Sequence, residues 1–324
     1  MIITVDCGTT NMRCRLFDGE NWIDEVKQKT GSRDAVAAGS TVCLENALKT
    51  CIETLQKANG ISEDDVEVIV ASGILASDIG ICRIPHVTAP AGVLESGKAA
   101  KTVVFPRISR IPVFLIPGVK TLPGEEAGEE EKIEAWESMS GEECEVYGIV
   151  KQLGLTGDFV VTLPGSYNKI MDVDGTGRIV SIRTGMCGEF IEAISRHTIL
   201  SHSLPDPVIQ QLIPERLVQG YDYCSRHGVS PTLIKARMVQ LLGNWSEQEA
   251  ANFFVGAILY DDVRMIREVC RSDRRVLVGG SNPLRRIFGI LLRHIGVVQV
   301  IEIDDECARL APGIGAIEVY KASI

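Results

Sequence analysis

The sequence predicts two similar α/β domains, because one arrangement of strands and turns occurs twice along the chain. Residues 1–28 contain a strand, a polar turn with glycine, a second strand, a tight turn and a third strand, and residues 158–182 repeat that order. Segments with helical periodicity follow each copy. Two antiparallel meanders of this kind, each with a glycine turn of a size to suit phosphate, imply two domains that face each other across a cleft.

The first half opens with an antiparallel meander rather than a βαβ unit, and its tight turn lies at residues 18–21. Apolar residues at helical spacing predict one helix over residues 35–58, ended by Asn59 and Gly60. A stretch rich in glycine and glutamate at residues 121–131 is predicted to be an exposed loop. The predicted strands of this half lie at residues 2–5, 11–17, 22–28, 66–71 and 112–116.

The second half repeats the meander and continues mainly with helices. We therefore expect an N-terminal domain at residues 1–150 and a C-terminal domain at residues 151–309, with a C-terminal helix (residues 310–324) that packs back on the first domain. The predicted strands of this half lie at residues 158–163, 168–173, 178–182, 275–278 and 297–303, and the predicted helices at residues 188–197, 210–224, 247–271 and 312–320.

The composition argues against several classes of protein. The 324 residues fit two domains of ordinary size, and the net charge of −10 argues against a nucleic-acid partner. No apolar run approaches the roughly 20 residues that a membrane helix needs, so we expect no membrane partner. Ten scattered cysteines and the lack of a leader pattern predict a cytoplasmic protein without structural disulfides. The sequence indicates no oligomeric state.

The turn after the first strand has the chemistry of a phosphate site. Gly8 permits a tight turn and lets the backbone approach a ligand closely. The hydroxyl groups of Thr9 and Thr10, with loop amides that include Asn11, can bind phosphate oxygens. Asp6, at the end of the strand, can hold Mg²⁺ through water. The same residues also suit an ordinary hairpin turn in which they satisfy only local backbone groups.

A matching turn begins the second meander. Gly165 and Ser166 lie between its first two strands, where they would contact the phosphates of ATP from the other side. Lys169 could neutralise the charge of phosphate or substrate. An ordinary hairpin with a solvated lysine is the alternative interpretation.

A third glycine-rich turn follows the buried strand at residues 275–278. Gly279 and Gly280 would let the backbone lie flat against an adenine or a ribose. Ser281 or Asn282 can cap the following helix, and such a cap requires no ligand.

An acidic helix start precedes the second phosphate turn. Ser140 and Glu143 have the spacing of a capping box, which would be a purely structural role. A glutamate at this place can also serve as the base that a kinase needs, because an attacking hydroxyl must lose its proton.

The order of these parts resembles that of the actin-like kinases, and their residues resemble the 2-dehydro-3-deoxygalactonokinase family over nearly the whole chain. The matching segments lie at residues 6–13, 71–74, 77–80, 116–118, 139–143, 164–169 and 184–190. The chain departs from the family pattern at Ser140, Glu145, Tyr167 and Cys187.

The resemblance implies two actin-like (ribonuclease H-like) α/β domains, each with a mixed sheet flanked by helices, and a nucleotide cleft between them. It implies phosphorylation of the 6-hydroxyl of 2-dehydro-3-deoxy-D-galactonate, a sugar acid, by ATP with Mg²⁺ in carbohydrate catabolism. Related carbohydrate kinases have a Gly-Asp at the helix start, so the base is expected at Glu142, with Glu143 as the alternative, and Asp6 at the metal.

A carboxylate substrate requires a cation. The candidates for this role are Arg83, Lys169 and Arg183, and Arg13 is also placed to contact substrate or phosphate.

Two other functions stay open on the sequence. One is a kinase of the same fold that acts on another small sugar, and the other is a non-catalytic ATP-binding member of the family. A Rossmann dehydrogenase is excluded, because no Gly-x-Gly-x-x-Gly follows the first strand.

Overall fold

The computed structural model describes residues 1–270 and 274–324, and the chain forms two compact units. The first unit comprises Met1–Gly157, Asp174–Ile182 and Glu306–Ile324, and the second comprises Asp158–Val173 and Arg183–Asp305. The segment Asp174–Ile182, predicted to belong to the second domain, lies in the first unit, where Ala91 and Ile179 exchange backbone hydrogen bonds of 3.0 and 2.8 Å.

The strands of the described residues are two to eight residues long. They are β1 (Ile2–Cys7), β2 (Met12–Asp18), β3 (Asn21–Gln28), β4 (Val68–Gly73), β5 (Val87–Thr88), β6 (Lys101–Val103), β7 (Val113–Leu115), β8 (Val119–Thr121), β9 (Glu137–Met139), β10 (Phe159–Pro164), β11 (Asn168–Val173), β12 (Ile179–Gly185), β13 (Arg275–Val278) and β14 (Val300–Glu302).

The α-helices of the described residues lie in both units. They are α1 (Ser32–Ala38), α2 (Val42–Asn59), α3 (Val93–Ala99), α4 (Glu129–Ala135), α5 (Glu142–Leu153), α6 (Cys187–His197), α7 (Pro214–His227), α8 (Val229–Gly243), α9 (Glu247–Ile258), α10 (Tyr260–Val269), α11 (Leu284–His294) and α12 (Asp305–Lys321).

The two main sheets repeat one topology. In the first unit the strand order is β3-β2-β1-β4-β7-β6, and β1 pairs antiparallel with β2 and parallel with β4. The second sheet has the order β12-β11-β10-β13-β14, and β10 pairs antiparallel with β11 and parallel with β13. The central strands β1 and β10 are buried along almost their whole length, because both of their faces are covered. The duplication predicted from the sequence is therefore present in the topology.

A second, smaller sheet in the first unit has the order β5-β8-β9. It pairs β5 parallel with β8 and β8 antiparallel with β9. Only Ser140 and Gly141 lie between the end of β9 and the start of α5.

Each unit has its own apolar core. In the first, β1, β2 and β4 pack against α2, with Leu44, Leu48 and Leu55 fully buried. In the second, the sheet packs against α7, α9, α10 and α11. Helices α5 and α12 cross at backbone contact, because a Cβ on Gly315 would lie 1.8 Å from the Cys144 carbonyl oxygen. Any larger residue at that crossing would separate the two helices.

Several predicted helices have different limits in the structure. The single helix predicted over residues 35–58 is two helices, because Gly39 adopts φ 60° and ends α1. The predicted loop at residues 121–131 contains the start of α4, whose first-turn glutamates suit the positive end of a helix. The last helix begins at Asp305 and not at Pro312, which lies inside it.

The predicted helices of the second unit also change. The helix predicted over residues 247–271 is α9 and α10, which meet at Leu259, and Arg271 lies outside the described residues. The helix predicted over residues 210–224 is α7, which begins later with proline at its first position. Helix α8 was not predicted, because it exposes Leu241 and Leu242 while burying Thr232.

All ten cysteines are free thiols. Within the described ranges, no helix is both long and apolar enough to cross a membrane.

A buried carboxylate lies below the β10–β11 turn of the second unit. Asp262 of α10 is only 4% exposed, and a Cβ on Gly185 would lie 2.1 Å from its Oδ1. Burial raises the pKa of Asp262 to about 6, although the side chains of Asn168 and Cys187 beside it oppose the rise. The folded state therefore binds this proton more tightly than the unfolded state does.

We expect Asp262→Asn to gain stability relative to the wild type as the pH rises. The raised folded pKa favours folding below about pH 4, and this contribution is lost between about pH 4 and pH 6, which amounts to roughly 3 kcal/mol. Melting temperatures of both proteins at pH 4.5 and 7.5 test this. Asp261→Asn, on the exposed side of α10, should show no such change of relative melting temperature with pH. If the difference in melting temperature between Asp262→Asn and the wild type is the same at both pH values, burial of the Asp262 carboxylate does not destabilise the fold.

Candidate active site

The turn between β1 and β2 is short and is held by hydrogen bonds between its own residues. The Gly8 amide donates to the Asn11 carbonyl at 2.9 Å, and Asn11 Nδ2 donates to Thr10 Oγ1 at 2.9 Å. The start of α1 supports the turn from behind, because a Cβ on Gly31 would lie 2.4 Å from the Thr9 carbonyl oxygen. The predicted phosphate residues therefore form one partly exposed turn with a glycine contact beneath it.

Asp6 lies beside this turn and close to the start of α5. It is next to last in β1, opposite Arg13 in β2 and Ser72 in β4. Its Oδ2 is 3.8 Å from an Arg13 guanidinium nitrogen, and a Cβ on Gly141 would lie 3.7 Å from its Oδ1. The carboxylate is half-buried and faces the acidic helix start.

The start of α5 depends on a glycine. Gly141 has φ 114°, and a Cβ there would lie 3.2 Å from the Gly73 Cα. Its N–H donates to both carboxylate oxygens of Glu143, at 2.9 and 2.8 Å. The predicted capping box with Ser140 is therefore wrong by one position, since Gly141 and not Ser140 is the N-cap.

The two adjacent glutamates have different surroundings. Glu143 is fully buried, and burial together with the charge of Glu142 raises the pKa of Glu143 to about 8. Glu142 is half-buried, and the Ser140 N–H donates to its Oε2 at 3.1 Å. A general base must be ionised and within reach of its proton, so these surroundings favour Glu142.

The second-unit turn is also held by a glycine contact. The Gly165 N–H donates to the Tyr167 carbonyl at 2.9 Å, and the Ser166 carbonyl accepts from the Glu189 N–H at 2.9 Å. A Cβ on Gly188 would lie 2.1 Å from the Gly165 carbonyl oxygen. The exposed turn thus lies directly against the first turn of α6.

The third glycine turn packs on the end of β10. Gly279 donates to β10, and Gly280 has φ 70°, where a Cβ would lie 2.5 Å from the carbonyl oxygen of the last β10 residue. The buried Arg285 donates to the Gly280 carbonyl at 3.3 Å. The N-cap of α11 is Pro283, so the predicted side-chain cap is wrong, and Ser281 instead accepts through its carbonyl.

A cavity of about 400 Å³ opens between α6 and α11 in the second unit. Arg196 lies at its polar side, 3.1 Å from Glu192 and 3.4 Å from Asp206. The volume of the cavity falls in the range of small-molecule sites. The apolar part of its wall is formed by Ile191, Val208, Ile209, Val255, Leu284 and Ile287.

The four cations predicted for the substrate have unlike environments. In the first unit Arg13 lies near Asp6 and Arg83 is exposed. In the second, Lys169 is buried and donates to Thr184 Oγ1 at 2.8 Å, and Arg183 is half-buried in β12.

The sequence does not predict a polar cluster that the structure shows on the β5-β8-β9 sheet. His86 Nε2 lies 3.0 Å from Ser140 Oγ, next to the candidate base. Burial and the charge of Lys120 lower the pKa of His86, against the opposing effect of Asp78. These strands have only two or three residues each, too few for a periodic pattern that would have revealed them.

The described part of the chain holds no group of three His, Cys, Asp or Glu side chains that could bind a metal ion. A metal at Asp6 would therefore have to complete its coordination with water and phosphate, as Mg²⁺ commonly does.

A model of the 2-keto-3-deoxy-galactonokinase family matches residues 6–313. The chain belongs to this family. A 2-dehydro-3-deoxygalactonokinase of Escherichia coli (strain K12) is 21% identical over 286 residues, 88% of this chain and 87% of the relative. A probable 2-dehydro-3-deoxygalactonokinase of Rhizobium meliloti (strain 1021) is 25% identical over 307 residues, 93% and 92% of the two chains. The predicted family and the predicted enzyme class, a carbohydrate kinase, are confirmed.

Solved structures confirm the predicted fold class. The crystal structure of a 2-dehydro-3-deoxygalactonokinase family protein from Sinorhizobium meliloti has a TM-score of 0.76 at 20% identity and covers 98% of this chain and 96% of its own. The activator of 2-hydroxyisocaproyl-CoA dehydratase from Clostridium difficile has a TM-score of 0.52 at 12% identity, with coverage of 99% and 95%. The kinase therefore has the two-domain actin-like fold, with a mixed sheet and helices in each domain.

We expect Gly188→Ala to lower the melting temperature and to weaken ATP binding by about tenfold or more. The added Cβ would meet the Gly165 carbonyl oxygen and force the turn to move. Calorimetric titration with ATP measures the loss. Gly243→Ala is the matched control, because its Cβ would have no atom closer than 3.7 Å; equal ATP affinity in the two variants would show that the turn does not bind the nucleotide.

Proposed function

We propose that the chain transfers the γ-phosphoryl group of ATP to the 6-hydroxyl of 2-dehydro-3-deoxy-D-galactonate. Family membership supports the substrate class. The start of α5 carries the proposal, because it combines a buried glutamate with a raised pKa and a half-buried glutamate beside it. A sugar kinase needs one ionised carboxylate at the hydroxyl that attacks.

Glu142 is the proposed base. Its Oε2 accepts from the Ser140 amide, which limits the orientations of its carboxylate. When the substrate hydroxyl attacks, this carboxylate accepts the proton that leaves oxygen. Glu143 would be mostly protonated at neutral pH and serves instead to hold Gly141.

The nucleotide is proposed to bind through glycine turns and a cavity. In the first unit, Gly8, Thr9, Thr10 and Asn11 would bind phosphate oxygens. In the second, the cavity between α6 and α11 would bind the adenine of ATP. Gly188 and Pro283 border this cavity. The residues proposed for phosphate and ribose there are Gly165, Ser166, Gly279, Gly280 and Ser281. A protein of the same fold, the Clostridium difficile activator, has bound ADPNP.

Asp6 is proposed to hold Mg²⁺. Its half-buried carboxylate lies beside the phosphate turn and fits an ion that keeps most of its water. Bound there, the ion would neutralise charge on the phosphates. Arg13, Arg83, Lys169 and Arg183 are proposed as cations for the negative charges of substrate and phosphate.

We expect Glu142→Gln to lower kcat by about 10²- to 10⁴-fold, since it removes the proton acceptor and keeps the size of the side chain. Glu143→Gln is the matched control and should lose far less. ADP release is measured with 2-keto-3-deoxygalactonate, its gluconate epimer and a panel of sugars, and ATP affinity is measured in parallel.

The outcomes separate the alternatives. A larger loss in Glu143→Gln than in Glu142→Gln would move the base to Glu143. Activity with another sugar, but with neither keto acid, would refute the substrate and leave the kinase. Binding of ATP without turnover on any member of the panel would favour a non-catalytic member of the family.

A further inference from the structure

One face of the β5-β8-β9 sheet in the first unit is polar. Thr88 pairs with Lys120 and Lys120 with Ser138, so the three side chains share a face. Thr88 and Ser138 are exposed. Val119 and Met139, the neighbours of Lys120 and Ser138 along their strands, are buried on the other face. The sheet thus presents hydroxyl groups and one amine away from the core.

His86 and Ser140 extend the polar face towards Glu142, the candidate base. His86 lies 3.0 Å from Ser140 Oγ, and the Ser140 amide donates to Glu142. Gly118 allows this approach, because a Cβ there would lie 2.2 Å from the Met139 carbonyl oxygen and 2.6 Å from the His86 ring. One end of the face therefore adjoins the Glu142 carboxylate.

Lys120 is the cation of this face. It is half-buried, and it forms no ion pair with any residue that the structure describes. A half-buried ammonium group has lost part of its hydration, so an anionic ligand there would restore lost interactions. The carboxylates of Asp6 and Glu142 would repel the acid group of a sugar acid, which favours placing that group at a distance from them.

The distance along β9 suits a six-carbon acid. Lys120 is opposite Ser138, two residues before Ser140, and two strand residues span about 7 Å. Five carbon–carbon bonds of about 1.5 Å in a zigzag also span roughly 6 to 7 Å. A hydroxyl at one end could reach Glu142 while the carboxylate at the other end reaches Lys120.

We propose that the polar face formed by His86, Thr88, Lys120, Ser138 and Ser140 binds the sugar acid, and that Lys120 pairs with its carboxylate. This assignment rests on the proposed function. It makes Lys120 the residue that selects acids over neutral sugars, while the imidazole of His86 and the hydroxyl of Ser140 bind oxygen atoms nearer the reacting end.

The test compares a charged and a neutral substrate. Lys120→Met is assayed with 2-keto-3-deoxygalactonate and with its primary amide, which keeps the shape and lacks the charge. The variant should raise KM for the acid about 10- to 100-fold, while KM for the amide and the affinity for ATP stay within about twofold of the wild type. Lys120→Arg should restore part of the loss.

Lys101→Met is the matched control, because Lys101 is exposed in β6 and its replacement removes the same charge elsewhere in the unit. An equal effect of Lys120→Met on acid and amide, or none on either, would overturn the assignment while wild-type turnover of the acid kept the proposed function intact. A wild type that does not phosphorylate the acid would overturn both.

Discussion

The amide of Gly141 donates to both oxygens of Glu143, and the first turn of α5 depends on this pair of hydrogen bonds. They require a backbone with positive φ at Gly141, where a Cβ would lie only 3.2 Å from the Gly73 Cα. Glu143 is fully buried close to Asp6 and Glu142, where a charge would be costly, and its raised pKa reflects that cost. The buried acid holds the helix start in place, and Glu142 is displayed beside it.

Glycine contacts also fix the turns of the second unit, but without a buried carboxylate. Gly188 places the start of α6 against the Gly165 turn, and Gly280 places the third turn against the end of β10. In each case backbone touches backbone, so the turn keeps its shape without a side chain between them. Arg285 adds a hydrogen bond from the start of α11 to the Gly280 carbonyl. Rigid turns whose amides are exposed can bind phosphate with little loss of conformational entropy.

The sequence could predict the parts of the fold that repeat a local pattern. Both meanders were recognised because alternating strands and glycine turns are short-range features. The break at Gly39 and the burial of Thr232 in α8 were missed because tertiary packing decides them. At the site, the motif located Glu142 and Glu143, but only burial distinguishes them. His86 and Lys120 come from strands too short to form a pattern, so their meeting near Ser140 required the structure.

Neighbouring carboxylates can take different roles when their surroundings separate their pKa values. Glu143 would stay protonated up to about pH 8, so at neutral pH it adds little negative charge next to Glu142. A second ionised carboxylate there would repel phosphate. Burial of Glu143 therefore does two things at once: it anchors the helix start, and it keeps the local charge low enough for an anionic nucleotide and an acid substrate to approach.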